Sequence, residues 1–125
     1  VRVGVDAANS QLVILEDAND NGIADVGERV RRVTLESGVT FARGAAPAFP
    51  GLGAGPVSFT RTLNGLPAMI FHRDGSSAEY GGLYLTSTVA LGAGIATDTR
   101  AIDVTRATSR VTRYTYQSGA WVREN

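Results

Sequence analysis

Along this chain apolar and polar positions alternate in short bursts, separated by clusters of Gly, Pro, Asn, Asp and Ser that return about every eight to twelve positions. "VRVGV" at 1–5 and "QLVILE" at 11–16 flank "DAANS", where Asp and Asn favour a tight reversal, so the chain opens on a hairpin. "RVRRVTL" at 29–35 alternates in its second half, which places Val33 and Leu35 on one face and Arg32 and Thr34 on the other. "VSFTRT", "AMIFH", "GLYLTSTV", "RAIDVT", "RVTRYTY" and a closing "AWV" follow as strand candidates rich in β-branched and aromatic residues. "LVIL" and "AMIF" are apolar on both faces and are expected to be the most buried strands. No segment carries the period of an amphipathic helix. "GAAPAFPGLGAGP" at 44–56 is too rich in Gly and Pro to continue a ladder. It is expected to be an exposed connection, with Phe49 either a contact point or part of a plain linker.

Roughly seven to nine short strands with no helix between them predict a mainly β fold built of antiparallel sheets, because parallel strands need crossovers of a dozen or more residues. No period of about 20 to 50 residues repeats, which argues against solenoids and propellers. A chain of 125 residues is expected to form one domain, 1–125, with a core that needs neither disulfide nor metal as a staple.

Composition narrows the function classes. Twelve basic residues, all arginine, balance twelve acids, so a whole-surface binder of nucleic acid or membrane is disfavoured and any basic site is local. The absence of cysteine excludes disulfides, thiolate metal sites and cysteine nucleophiles. The longest apolar run, "LVIL", falls far short of the ~18 to 20 residues that cross a bilayer. The chain starts at Val1, already inside a strand, and a segment upstream of it is expected.

The acidic stretch "EDANDNGIADVGE" at 16–28 holds the strongest motif. Asp17, Asn19, Asn21, Gly22, Asp25 and Glu28 satisfy the calcium-loop spacing D-x-[DN]-x-[DN]-G-x5-E. Side-chain oxygens of Asp17, Asn19, Asn21 and Asp25, the Ile23 carbonyl and a two-oxygen Glu28 carboxylate would suit a hard cation such as Ca2+. The same residue types also build a hairpin turn that sits in water, and strands, not a helix pair, flank this loop. Both readings stand at this point.

Other chemistry is thinner. His72 is the sole histidine, no G-x-S-x-G elbow accompanies it, and its sequence neighbour Asp74 says nothing about geometry. Zinc lacks His and Cys ligands, and "GLGAG" lacks dinucleotide spacing. The chain is therefore read as non-enzymatic. Arg106, Arg110 and Arg113 lie near Tyr114 and Tyr116, and cations mixed with aromatics can hold a phosphate backbone and stack bases. Strand alternation would put Arg110 on the face of both tyrosines and Arg113 opposite; a solvated strand face is the plain alternative.

Taken together and in order, several stretches resemble the soluble domain of the type II secretion pseudopilin H and FimT-type minor pilin family. "AMIFHRDGS" resembles that family's itF-x-x-x-G strand and turn, "GGLYLTS" its G-t-i-x-l strand, "IDVTRATSRVTRYTYQSGAW" its closing i-x-v-x-x-x-G-R-v-r region, and "DANDNGIADVGERV" its acidic loop. Ser109 stands where the family usually has glycine, and Thr112 adds a residue between Arg110 and Arg113. The resemblance implies a pilin-like head domain, α+β once an N-terminal helix is included. It also implies a prepilin peptidase site, N-terminal methylation, an inner-membrane anchor, and a head in the periplasm or on an extracellular filament. Its partners would be other pilin or pseudopilin subunits of a type IV pilus or type II secretion filament in protein transport, with DNA as a further candidate. The alternative is an extracellular calcium-stabilised β-module that binds a carbohydrate or protein partner.

Overall fold

The structure, a computed structural model, describes residues 1–124. β1 (Arg2–Asp6) ends where Asp6 accepts the Asn9 N–H. One 3-10 turn (Ala7–Asn9) with a left-handed Ser10 then sends the chain back as β2 (Gln11–Leu15). This is the expected opening hairpin. β2 pairs on its other side with β3 (Val30–Thr34), across the acidic loop.

β4 (Val39–Phe41), β5 (Arg61–Leu63), β6 (Leu66–Ile70) and β7 (Gly81–Ser87) follow, then a one-and-a-half-turn helix α1 (Thr88–Ala93), β8 (Arg100–Val104), β9 (Val111–Gln117) and β10 (Ala120–Arg123). They form two antiparallel five-stranded sheets, ordered β3-β2-β1-β6-β5 and β10-β9-β8-β7-β4. Strand accounts for 42% of the chain and helix for 7%, so the fold is mainly β, as the alternation predicts.

The sheets meet through Val5 of the first and Phe41 and Leu83 of the second, with Leu12, Leu35, Leu85 and Ile102 packed around them. Leu35, just past the end of β3, packs partly buried against this core, while Val33, which the alternation put on the same face, is exposed. Both outer faces carry apolar clusters as well. Val13, Leu15, Leu63 and Ala68 gather on the first sheet, with Ala24 of the acidic loop against them. Leu52, Tyr84 and Ala101 gather on the second. That layering explains why "LVIL" and "AMIF" are apolar on both sides, with Val13 and Leu15 in the outer cluster and Leu12 against the inner one; they are not the most buried strands, however, since each has two of four residues buried against five of seven in β7.

Further expectations differ from the structure. The 44–56 segment is no free connection: Leu52 and Ala46 are buried, and Phe49 lies on Tyr114 with ring centroids 4.4 Å apart. Its backbone is clamped by Tyr84, whose hydroxyl accepts the Phe49 N–H at 2.7 Å and donates to the Gly53 carbonyl at 2.9 Å. Gly82 makes the fit possible, since a Cβ there would lie 2.1 Å from the Ile102 carbonyl and 2.9 Å from Leu52 Cδ2. Second, α1 occupies the end of what alternation reads as one strand. Ser87 caps it by accepting the Ala90 N–H at 3.0 Å, and Gly94 ends it in the left-handed region. Third, β4 forms from three residues where no strand was expected, and the described residues hold ten strands against the seven to nine expected.

Candidate functional site

The acidic loop between β2 and β3 is organised around a buried carboxylate. Asp17, with 2% of its side chain exposed, accepts the Gly22 N–H at 2.8 Å and the Asn21 N–H at 3.3 Å. Its third donor is Arg2 Nε, at 3.0 Å. The rest of the Arg2 guanidinium bonds to the Thr62 carbonyl at 2.9 Å and to Asp20 Oδ1 at 2.9 Å. Burial pushes the Asp17 carboxyl up, but the two backbone N–H donors and the guanidinium outweigh it and hold the group below its ordinary value. Gly22 lies against this arrangement at φ +74; a Cβ would stand 3.2 Å from the Thr62 carbonyl and 3.4 Å from Arg2 Nη1. The glycine of the motif thus also lets the loop close over the arginine.

The remaining motif residues assemble at the exposed end. The Asn19 and Asn21 amides donate to Asp25 Oδ2 at 3.0 and 2.7 Å, and Asn21 Oδ1 accepts the Ile23 N–H at 3.0 Å. Glu28 braces the loop from below, accepting the N–H groups of Ala18 at 2.6 Å and Asp25 at 2.8 Å. The six calcium-loop positions therefore divide. Asn19, Asn21 and Asp25 converge, Glu28 is tied to backbone near them, and Asp17 is turned to a cation the chain itself supplies. Among the described residues no three His, Cys, Asp or Glu side chains stand close enough together to hold a metal ion. A cation here would rely on Asp25 and Glu28 with amide and carbonyl oxygens, including that of the exposed Ile23.

His72 stands exposed at the start of the turn after β6, where its carbonyl accepts the Gly75 N–H at 3.2 Å. Asp74 is occupied by Ser76, whose N–H and hydroxyl donate to it at 2.9 and 2.6 Å. Those bonds hold its carboxyl below the ordinary value. The two residues thus serve a tight turn.

The three arginines separate. Arg106 lies in the β8–β9 turn and faces a hollow shared with His72. Arg110 and Arg113 line a different hollow, with Arg123 and Glu124. Ser109 is left-handed (φ 54) and β9 begins at Val111, so Arg110 lies just outside the strand. Arg113 is ion-paired with Glu124, which also takes Arg100 at 3.1 Å. The tyrosines face elsewhere. Tyr114 packs on Phe49, and Tyr116 meets Trp121 edge-on at 5.2 Å. These rings hold the 44–56 segment in place, so Tyr114 is committed to packing.

A pair that sequence reasoning missed joins the second sheet to the residue before β7: Asp103 is buried, and Tyr80 is 39% exposed. Tyr80 donates to Asp103 Oδ2 at 2.9 Å, and Asp103 Oδ1 is buried with no hydrogen-bond partner. Burial first, then the bond to Asp103, pushes the Tyr80 phenol above its ordinary value. "AIDVT" offered one signal, an acid inside an alternating run.

Compared with protein-family models, with curated proteins and with solved structures, the chain finds no significant match in any of the three. Among the described residues no helix is long and apolar enough to cross a membrane.

Proposed function

We propose that this chain is a non-enzymatic structural subunit, a minor pilin or pseudopilin of a type IV pilus or type II secretion filament, acting through contacts with other subunits. The observation that carries the reading is an aliphatic surface at and just after α1, where Val89, Leu91 and Ile95 are 77%, 45% and 44% exposed. Apolar area facing water on a two-sheet body gains about 25 cal/mol per Å2 when a partner covers it. The ordered set of family-like stretches and the antiparallel two-sheet architecture support the same reading. On it, an N-terminal helix upstream of Val1 anchors the head at the inner membrane, and the acidic loop serves first as a braced turn.

The chain contains no cysteine, so single cysteines at Val89 and Ile95 report contacts without background. Cross-linking in the producing cell is expected to yield discrete adducts with other filament subunits from both positions. Adducts from neither, with the protein present in the membrane fraction, would remove the reading.

A second reading, the calcium-stabilised module for a carbohydrate or protein partner, draws on the convergence of Asn19, Asn21 and Asp25. Melting with and without calcium separates the two. A bound ion at a hundred times its Kd adds about 2.7 kcal/mol, a shift that Asp25→Ala and Glu28→Ala would abolish; the filament reading expects no shift.

A further inference from the structure

Above the buried Arg2 guanidinium lies an open hollow of about 630 Å3 between the acidic loop, β5 and the end of β6. Arg61, His72 and Arg106 line it, from three segments distant in sequence. All three are exposed, and none of them forms an ion pair among the described residues, in contrast to Arg2, Arg29, Arg100 and Arg113. No acid lines the hollow among the described residues.

The acids close by are already engaged. Asp17 and Asp20 hold Arg2. Glu79 accepts the Thr60 hydroxyl at 2.8 Å and the N–H groups of Thr60 at 2.9 Å and Arg61 at 3.3 Å, so its carboxylate is turned to the β5 backbone. Asp74 is held by Ser76. In a chain of zero net charge, two guanidinium groups without an ion-pair partner among the described residues are therefore gathered with an imidazole above a third guanidinium, while Glu79 and Asp74 nearby point their carboxylates at backbone N–H and hydroxyl donors. Like charges brought together this way repel, and an anion between them reverses the sign of the interaction.

We propose that this hollow is a binding site for a phosphate group, free or carried on a monoester, held by Arg61 and Arg106 with His72 as a further donor. Planar guanidinium forks donate two parallel N–H groups to an oxyanion, and arginines on different sides of a hollow can share one tetrahedral group. The hollow is open, and its cationic side chains come from three segments around it and not from one continuous track. A polyanionic strand instead needs a track of cations and free aromatic faces, and Arg110 and Arg113 lie in the separate hollow beside Glu124. The inference does not depend on the filament reading.

The test is titration of the protein with inorganic phosphate, and separately with glycerol phosphate, at low chloride, followed by calorimetry. Saturable binding of one phosphate group per chain is expected. It should weaken about tenfold or more in Arg61→Ala and in Arg106→Ala, the loss of one charge-assisted contact, and stay unchanged in Arg110→Ala. Glycerol phosphate binding more tightly than the free ion assigns a monoester, and equal binding assigns the free ion; either supports the site. Both substituted arginines are exposed, so unchanged melting curves verify folding. No saturable binding, equal binding by Arg61→Ala and the unaltered protein, or an equal loss in Arg110→Ala would each overturn the proposal. So would retention of a single-stranded oligonucleotide that depends on Arg110 as much as on Arg61.

Discussion

At the scale of single residues, Arg2 and Asp17 matter most to the first sheet's outer face. Their side chains are 10% and 2% exposed, so neither charge has water to fall back on. Arg2→Ala leaves Asp17 buried without its cation and is expected to cost about 3–5 kcal/mol, measured by urea unfolding. Asp17→Asn should cost less, because the amide keeps an oxygen for the Gly22 N–H. The pH dependence has a definite sign. Asp17 titrates lower in the folded protein than its ordinary 3.8, so the unfolded chain binds more protons in the window between the two values. The stabilisation is complete above about pH 4 and disappears as pH falls through the folded value. Acid unfolding of Asp17→Asn should show a shallower fall over that window; an identical acid limb would refute the assignment. Tyr80 shifts the opposite way: its stabilisation is present below about pH 10, the ordinary tyrosine value, and is lost as pH rises through its raised folded value. Absorbance at alkaline pH should show a late tyrosine ionisation that Tyr80→Phe removes.

At the scale of elements, the 44–56 segment and the second sheet depend on each other. Tyr84 is 1% exposed, and its hydroxyl both accepts from Phe49 and donates to Gly53. Tyr84→Phe keeps the ring but strands a backbone N–H and a carbonyl, a loss of about 1–3 kcal/mol. Trp121 sits in the same aromatic group, 5.7 Å from Phe49, so its fluorescence should report the loosening before global unfolding. Gly82→Ala drives a Cβ into the Ile102 carbonyl and belongs with the rare losses above about 4 kcal/mol. Alternation made the strands legible because it records burial directly, and in "LVIL" and "AMIF" it even announced cover on both faces. It could not announce that "GAAPAFPGLGAGP" supplies such a cover, since that needs Tyr84 and Gly82 from a strand about 30 residues away. The helix α1 escaped because six residues are too few to show a period, and its signal was local: Ser87 before it and Gly94 after it. At the acidic loop the ligand-type residues were visible, but Arg2 as the partner of Asp17 was not. That pairing follows from β1 lying beside β2 and β6, a fact of sheet order.

At the scale of the whole molecule, the sheet edges bear on how a filament contact could form. β5 and β4, edges of the two sheets, have three residues each and the β10 edge four, and β3 carries Arg31 and Arg32 on the remaining edge. Short and charged edges discourage strand addition. Side-chain contact is then the route left open, and the exposed aliphatic residues of α1 adjoin the β4 edge, where the Thr88 N–H donates to the Gly38 carbonyl at 2.9 Å. Val89 is 77% exposed, so Val89→Lys should change folding stability by no more than about 0.5 kcal/mol. If that surface meets a partner, the same lysine becomes a desolvated charge without a counter-ion, which an interface does not tolerate. The expected result is an unaltered melting curve together with loss of incorporation into the filament fraction of the producing cell. Arg110→Ala, at the separate hollow by β9, should leave incorporation intact. Full incorporation of Val89→Lys would remove the aliphatic surface at α1 as the contact on which the proposed filament reading rests.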